Sequence, residues 1–393
     1  MIWNLLSFSN WSNFSNRIQR RELVSQRELN LVPQPAGMDL AWHQLAGGWV
    51  PAAGNWIQGR RQTMAGSGVR LTSQVGGGGD AGAGEELVSV YHVPVLADEV
   101  VEWLAPAPGK LLMDCTFGGG GHTRCLLARG AGVLALDRDA DALNEAEELI
   151  QDWPDDLVVM RTTFDRYPEI LGESGVPGVH GILLDVGVSS WQVNSPNRGF
   201  SFRFDGPLDM RMDRDAPLTA AEIVNTWPED ELARIFYTYG EEKASRRVAA
   251  AIALRRAQKA ITTTADLAAV TASVVPKHSG AHPATKVFQA LRIAVNDELG
   301  CLERALEQAH RWLLPGGRLA VITFHSLEDR IVKNYMRRHS EPLIDRPEWP
   351  APRPNPECYY RLPVRKSITA SPAELALNSR ARSARLRVAE RLP

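Results

Sequence analysis

A charge excess of one sign, paired cysteines and long apolar runs are all missing from this chain of 393 residues, and each absence closes a class of function. Lysine plus arginine number 44 against 46 aspartate plus glutamate, so total charge announces no nucleic-acid partner, and such a partner has to be met by local basic patches. The four cysteines, Cys115, Cys125, Cys301 and Cys358, are scattered and form no C-x-x-C pair. That argues against a metal site or a disulfide framework and fits a reducing, cytoplasmic setting. No apolar run reaches the roughly 20 residues of a membrane span. The N-terminus, Met1-Ile2-Trp3-Asn4-Leu5-Leu6, turns polar too soon for a signal peptide. No G-x-x-x-x-G-K-[ST] loop is present, which disfavours nucleoside triphosphate chemistry.

Residues 1–88 are rich in Asn, Ser, Gln and Gly and weak in apolar periodicity, yet they contain Trp3, Trp11, Trp42, Trp49 and Trp56. The expectation is a flexible leader or a mis-assigned start upstream of Met38 or Met64, with a transit segment or binding arm as alternatives. From Tyr91 the pattern is globular. Apolar spacing predicts a helix over 95–104, strands over 110–115, 133–136, 157–160 and 181–185, and helices between them. Alternating short apolar strands and helices imply a doubly wound parallel sheet, with ligands at the carboxyl ends of its strands, where Asp114, Asp137 and Asp185 all fall.

After Asp185 the alternation lapses. A polar loop over 195–215 carries Arg198, Arg203, Arg211 and Arg214 beside three phenylalanines, and helices follow over 220–226, 229–237, 241–259 and 264–275. This predicts an all-helical insertion over 196–283, between sheet segments 89–195 and 284–393. A helical run over 285–314 is expected to weaken or bend at Gly300; a strand returns at 318–324, 340–365 is irregular, and 378–391 reads as an edge strand with a basic face. Basic residues also group as Lys243, Arg246 and Arg247, and as Lys277, His278, Lys286 and Arg292. Arginines beside aromatics can hold phosphates and stack on an extruded base.

The strand, glycine turn and helix start at Met113–Thr123 is the sharpest local signal. Glycine lets bare backbone approach a ligand, and Asp137, closing the next strand, can take both hydroxyls of a ribose. Asp114-x-Thr116-x-Gly118 with Asp137 suits S-adenosylmethionine, which has no phosphate for the turn to bind. Phe164 is placed either to pack on an adenine face or as a core aromatic. His325, just beyond a strand end, either faces the site or is structural.

Several longer motifs carry a resemblance. Thr116-Phe117-Gly118-Gly119-Gly120-Gly121-His122, Leu184-Asp185-Val186-Gly187-Val188-Ser189-Ser190, Arg198-Gly199-Phe200-Ser201-Phe202, Gly206-Pro207-Leu208-Asp209-Met210-Arg211-Met212, Tyr239-Gly240-Glu241-Glu242, His282-Pro283-Ala284-Thr285-Lys286-Val287-Phe288 and Phe324-His325-Ser326-Leu327-Glu328-Asp329-Arg330 are collinear. Together they make residues 90–393 resemble the bacterial RsmH (MraW) family. The resemblance implies a Rossmann-like class I S-adenosylmethionine methyltransferase sheet with an inserted all-helical substrate domain. The activity it implies is methylation of the N4 amine of a cytidine in the decoding region of 16S rRNA, within the small ribosomal subunit. It implies cofactor contacts at Gly120, Gly121, His122, Asp137, Phe164, Asp185 and Gln192, and the basic residues Arg198, Arg203, Arg211, Lys286 and Arg292 are expected to face RNA. The sequence departs from the family at Gly119, often arginine in relatives, and at Trp191, usually proline. The two-proline aromatic signature of amino-methyltransferases is absent, and Asp185-Val186-Gly187-Val188 occupies its place, so no catalytic base is assigned. Monomer and homodimer stay open. Two rival expectations are a non-catalytic ribosome-assembly factor that keeps the fold, and a nicotinamide dehydrogenase.

Overall fold

The computed structural model describes residues 94–276 and 282–393; the expectations for 1–88 and for Lys277 and His278 lie outside them. In chain order, α1 (Ala97–Leu104) leads into β1 (Leu111–Asp114), α2 (Gly121–Leu127), β2 (Gly132–Asp137), α3 (Ala140–Asp152), β3 (Leu157–Arg161), α4 (Tyr167–Ser174), β4 (Val179–Asp185) and α5 (Ser190–Asn194). Helices α6 (Ala220–Thr226), α7 (Glu229–Thr238), α8 (Ser245–Gln258), α9 (Thr264–Val274), α10 (Thr285–Asn296) and α11 (Glu298–Trp312) follow. The chain then returns through β5 (Leu313–Thr323) and α12 (Ser326–Arg338) to β6 (Leu343–Ile344), β7 (Arg353–Pro354), β8 (Tyr360–Arg361), α13 (Pro372–Leu377) and β9 (Arg385–Arg391).

Seven strands form one sheet in the order β3-β2-β1-β4-β5-β9-β8, while β6 and β7 pair separately. Strands β1 to β5 run parallel and β9 returns antiparallel to β5. The order reverses between β1 and β4, and that switch point is where doubly wound sheets open a ligand crevice. The strands are apolar throughout because both faces are covered. Alternate side chains feed two cores: Met113, Leu134, Ile182 and Val321 on one face, under α4, α11 and α12; Leu112, Val133, Leu183 and Ile322 on the other, under α1, α2 and α3. The expected Rossmann-like α/β sheet is what the chain builds.

A third cluster lies among the helices, around Met210, Ile223, Phe236, Val248, Leu267 and Phe288. Val287, Ala290 and Leu291 of α10 belong to it, so α10 faces the helical layer.

Two expectations are corrected. The run over 285–314 is broken at Asp297, in left-handed conformation at φ 48°, and Gly300 lies inside α11. Gly300 serves the break indirectly: a Cβ there would collide with the Asp297 carboxylate, which Arg304 also holds, at 2.8 Å. The C-terminal strand is likewise internal, with β5 on one side and the two-residue β8 on the other. Its arginines are largely committed, Arg387 to Asp329 and Arg391 to the carbonyls of His310 and Leu392.

Candidate active site

The carboxyl ends of β1, β2 and β4 bring three aspartates to one edge. Asp114, fully buried, accepts from Thr116 N at 3.1 Å and Thr123 Oγ1 at 2.7 Å. It thereby clamps both ends of the glycine turn. Burial raises its pKa, against the opposing pull of His122 and the two hydrogen bonds. Thr116 Oγ1 in turn accepts from Asp185 N at 2.7 Å, which fastens the turn to the end of β4. The turn needs glycine at two places. Gly118 and Gly120 have φ of 54° and 71°, and a Cβ on Gly120 would lie 2.9 Å from Phe117 Cζ.

Asp137 is half-buried. Its Oδ2 accepts from Gly118 N at 2.7 Å and its Oδ1 from Asp139 N at 2.8 Å. Burial, only partly offset by these bonds, pushes its pKa up to about 6. Asp139 caps α3 through Asp141 N, receives Gln192 Nε2 at 2.7 Å and pairs with Arg198 at 2.8 Å. Gln192 Oε1 accepts from Ser189 N in a capping box at the start of α5. Gln192 is therefore a brace for Asp139, with both ends of its amide engaged. Trp191 stays exposed, its indole N–H 3.2 Å from Asp141.

His122 and Asp185 complete the edge. His122, on the first turn of α2, is buried, with Nε2 3.4 Å from Asp185 Oδ2. Burial works against its protonation, but the Asp185, Asp114 and Glu374 carboxylates outweigh it and raise its pKa. Among the described residues, both ring nitrogens of His122 and Oδ1 of Asp185 are buried without hydrogen-bond partners. Buried polar atoms are ordinarily satisfied, so these atoms are free to meet the polar groups of a ligand or water. The space over Gly118 and Gly119 is open, with no atom within 4 Å of a Cβ at either. Phe164 sits in a short 3₁₀ turn beyond β3, packed on the core next to the strand that pairs with Asp137. Polar orphans, an open glycine turn, a carboxylate at the end of β2 and a ring at the end of β3 fit the amino-acid, ribose and adenine parts of S-adenosylmethionine.

The residues expected at RNA divide. Arg198 is buried, with its guanidinium on Asp139, Asp141 and the carbonyls of Arg211 and Met212; it is a hub of the fold and not a surface cation. Arg292 is likewise internal, bidentate to Glu298 at 2.8 and 2.9 Å. Arg211 grips Asp209 and the carbonyls of Arg214 and Ala216. Lys286 is exposed, with Nζ on the Glu241 carbonyl at 2.8 Å, and Arg203 is exposed without an ion pair among the described residues. His325 starts α12 beyond β5, its Nε2 3.0 Å from buried Glu328, whose other oxygen accepts from Phe324 N and His325 N. Sequence reasoning picked out Thr116 within the glycine turn but not its tie to β4, and it missed Asp139. An aspartate just before a helix is an N-cap signal and was readable; the Thr116 bond to β4 spans 69 residues and had no local sign.

The profile of the MraW methylase family matches residues 89–392. Proteins named "Ribosomal RNA small subunit methyltransferase H" are 55% identical in Rhodospirillum centenum, over 76% of this chain and 92% of the relative, and 45% identical in Symbiobacterium thermophilum, over 78% and 98%. One from Granulibacter bethesdensis is 48% identical over 76% of this chain and 91% of its own. A solved rRNA methylase from Streptococcus thermophilus aligns over 76% of this chain and 94% of its own at 11% identity and a TM-score of 0.33, too slight a likeness to carry an argument. The chain belongs to the MraW methylase family and is an S-adenosylmethionine-dependent methyltransferase.

Proposed function

We propose that this methyltransferase acts on small-subunit ribosomal RNA and, within it, on the N4 amine of a cytidine in the decoding region of 16S rRNA. The relatives named for that RNA support the substrate class, and the seven collinear motifs support the finer site. The observation that carries the chemistry is the cluster of unpartnered His122 and Asp185 atoms beside an open glycine turn.

When bound, S-adenosylmethionine supplies an electrophilic methyl group on a sulfonium. The chain's part is to hold donor and acceptor in line and to stabilise charge that develops on the amine. Asp137 would receive the ribose hydroxyls on its carboxylate, and Phe164 would cover the adenine. Gly120, Gly121 and His122 wall the amino-acid part, with His122 held by the negative field of Asp185 and Asp114. A cytosine amine is a poor nucleophile because its lone pair is delocalised into the ring. An oxygen that accepts one of its N–H groups helps to localise that pair, and Asp185 Oδ1, buried and without a hydrogen-bond partner among the described residues, is assigned that part. Gln192 acts one step back, through Asp139. The helical layer over 196–283, with α10, is the substrate-recognition element, and the protein works in the cytoplasm. No helix among the described residues is long and apolar enough to cross a membrane.

The test is nucleoside mass spectrometry of 16S rRNA from cells lacking this gene. Loss of N4-methylcytidine, restored when purified protein is added to the unmethylated subunits, is expected. Its persistence at the decoding site overturns the proposal.

A further inference from the structure

Nearly every arginine around the site is committed to a carboxylate or a carbonyl, which makes three uncommitted ones conspicuous. Arg203, from the loop before α6, and Arg380 and Arg382, from the 3₁₀ turn between α13 and β9, line one cleft of about 470 Å³ with Leu375 and Ser379. Among the described residues none of the three guanidinium groups has an ion-pair or hydrogen-bond partner, and Arg380 is only half-exposed. Asp205 accepts from Ala265 N, Glu374 accepts from Leu96 N at 2.7 Å, and among the described residues neither acid pairs with the three arginines. Burial and the Arg203 charge both press the Arg380 pKa down, as unneutralised cations facing one space require. A fold that holds like charges together without an internal counter-ion leaves room for an external anion.

The position says which anion. β9 begins at Arg385, opposite Thr323 at the carboxyl end of β5, so the turn over 379–383 lies on the edge that also carries Asp114, Asp137 and Asp185. Glu374 of α13 accepts from Leu96 N at 2.7 Å, and Pro94, two residues earlier, lies 3.1 Å from a Cβ built on Gly121, which sets α13 beside the glycine turn. A space of several hundred Å³ admits a nucleotide-sized group. Guanidinium forks match phosphate oxygens, and exposed Phe204, next to Arg203, offers a ring on which a base can stack. We infer that Arg203, Arg380 and Arg382 grip the phosphate backbone of the RNA beside the nucleotide presented to the cofactor. The inference rests on the reading that the substrate is RNA.

The experiment measures equilibrium binding of the full chain to unmethylated small ribosomal subunits across a salt series, for the wild type and for the Arg203→Ala/Arg382→Ala double variant. Each lost phosphate contact is expected to weaken binding about tenfold and to reduce the log–log salt slope by about one. The double variant therefore loses about 100-fold in affinity and about two units of slope, with S-adenosylmethionine affinity unchanged. Should it lose cofactor affinity too, Arg382→Ala alone, at an exposed position, carries the same test with a slope change of about one. Wild-type affinity and slope in the variants, with wild-type methylation intact, overturn the cleft alone. A wild-type chain that neither binds nor methylates the subunits overturns the functional reading and the cleft with it.

Discussion

Replacing Asp137 with asparagine should separate cofactor binding from folding, because two costs of opposite sign meet at this one carboxylate. Its pKa stands at about 6 against the ordinary 3.8. That shift of about two units means that keeping the ion in place costs about 3 kcal/mol relative to a neutral group. Asparagine escapes this cost. It also has one acceptor where aspartate has two, and Gly118 N and Asp139 N both need one, so one backbone N–H loses its partner, at about 1–3 kcal/mol. The two nearly cancel, and the melting temperature of Asp137→Asn should stay within a few degrees of the wild type. Nothing cancels in the complex. Ribose hydroxyls donate to a charged acceptor, at about 1.5–3 kcal/mol per bond. A loss of about 3 kcal/mol raises Kd roughly 150-fold. Calorimetric titration with S-adenosylmethionine and with its demethylated product, beside a thermal melt, reads both quantities. A Kd within threefold of the wild type refutes the ribose assignment, and a melt that falls by more than about 10 °C refutes the cancellation.

Cofactor affinity should fall about tenfold per unit below pH 6, as Asp137 takes up a proton, and Asp137→Asn should abolish that fall in a titration series. The sign for stability is opposite: a carboxyl raised from 3.8 to about 6 contributes most below its unfolded value and loses that contribution as pH rises through 6, so the weaker binding at pH 5 is not unfolding by this group. Arg198→Ala leaves Asp139 and Asp141 without their cation and should cost about 3–5 kcal/mol in chemical denaturation, whereas exposed Arg214→Ala should change stability little. Gly120→Ala forces a side chain into left-handed backbone, at about 1–2 kcal/mol, and against Phe117; it should lower both stability and cofactor affinity, and a wild-type Kd would show that the turn relaxes freely.

The sheet was legible because its strands are short and apolar throughout, and because Asp114, Asp137 and Asp185 each close one. Those aspartates mark one edge of the sheet, and all three fall there in the fold. Less legible was what each charge does once folded. Arg198 sits in a basic, aromatic loop and looks like a phosphate ligand, but its partners are Asp139 and Asp141, more than 50 residues earlier in the chain. Arg292 presents the same difficulty with Glu298 across the break at Asp297, since a helix end set by one left-handed residue has no periodic signature. Arg380 and Arg382 failed in the other direction. They sit in what read as a strand with a basic face, and only the turn between α13 and β9 brings them to Arg203.

Asn296 gives the molecule one more property. Its amide nitrogen donates to Met210 O, its amide oxygen accepts from Met212 N, and its own carbonyl receives Arg138, the residue between Asp137 and Asp139. The loop that leads into the helical layer and the strand end proposed to take the ribose are thus tied to one residue. Ordering either side is expected to stiffen the other, which an Asn296→Ala variant would relieve. By thermodynamic reciprocity, whatever factor a bound cofactor adds to RNA affinity, bound RNA must add to cofactor affinity. Asn296 is then the place to look for a departure from independent binding of the two substrates.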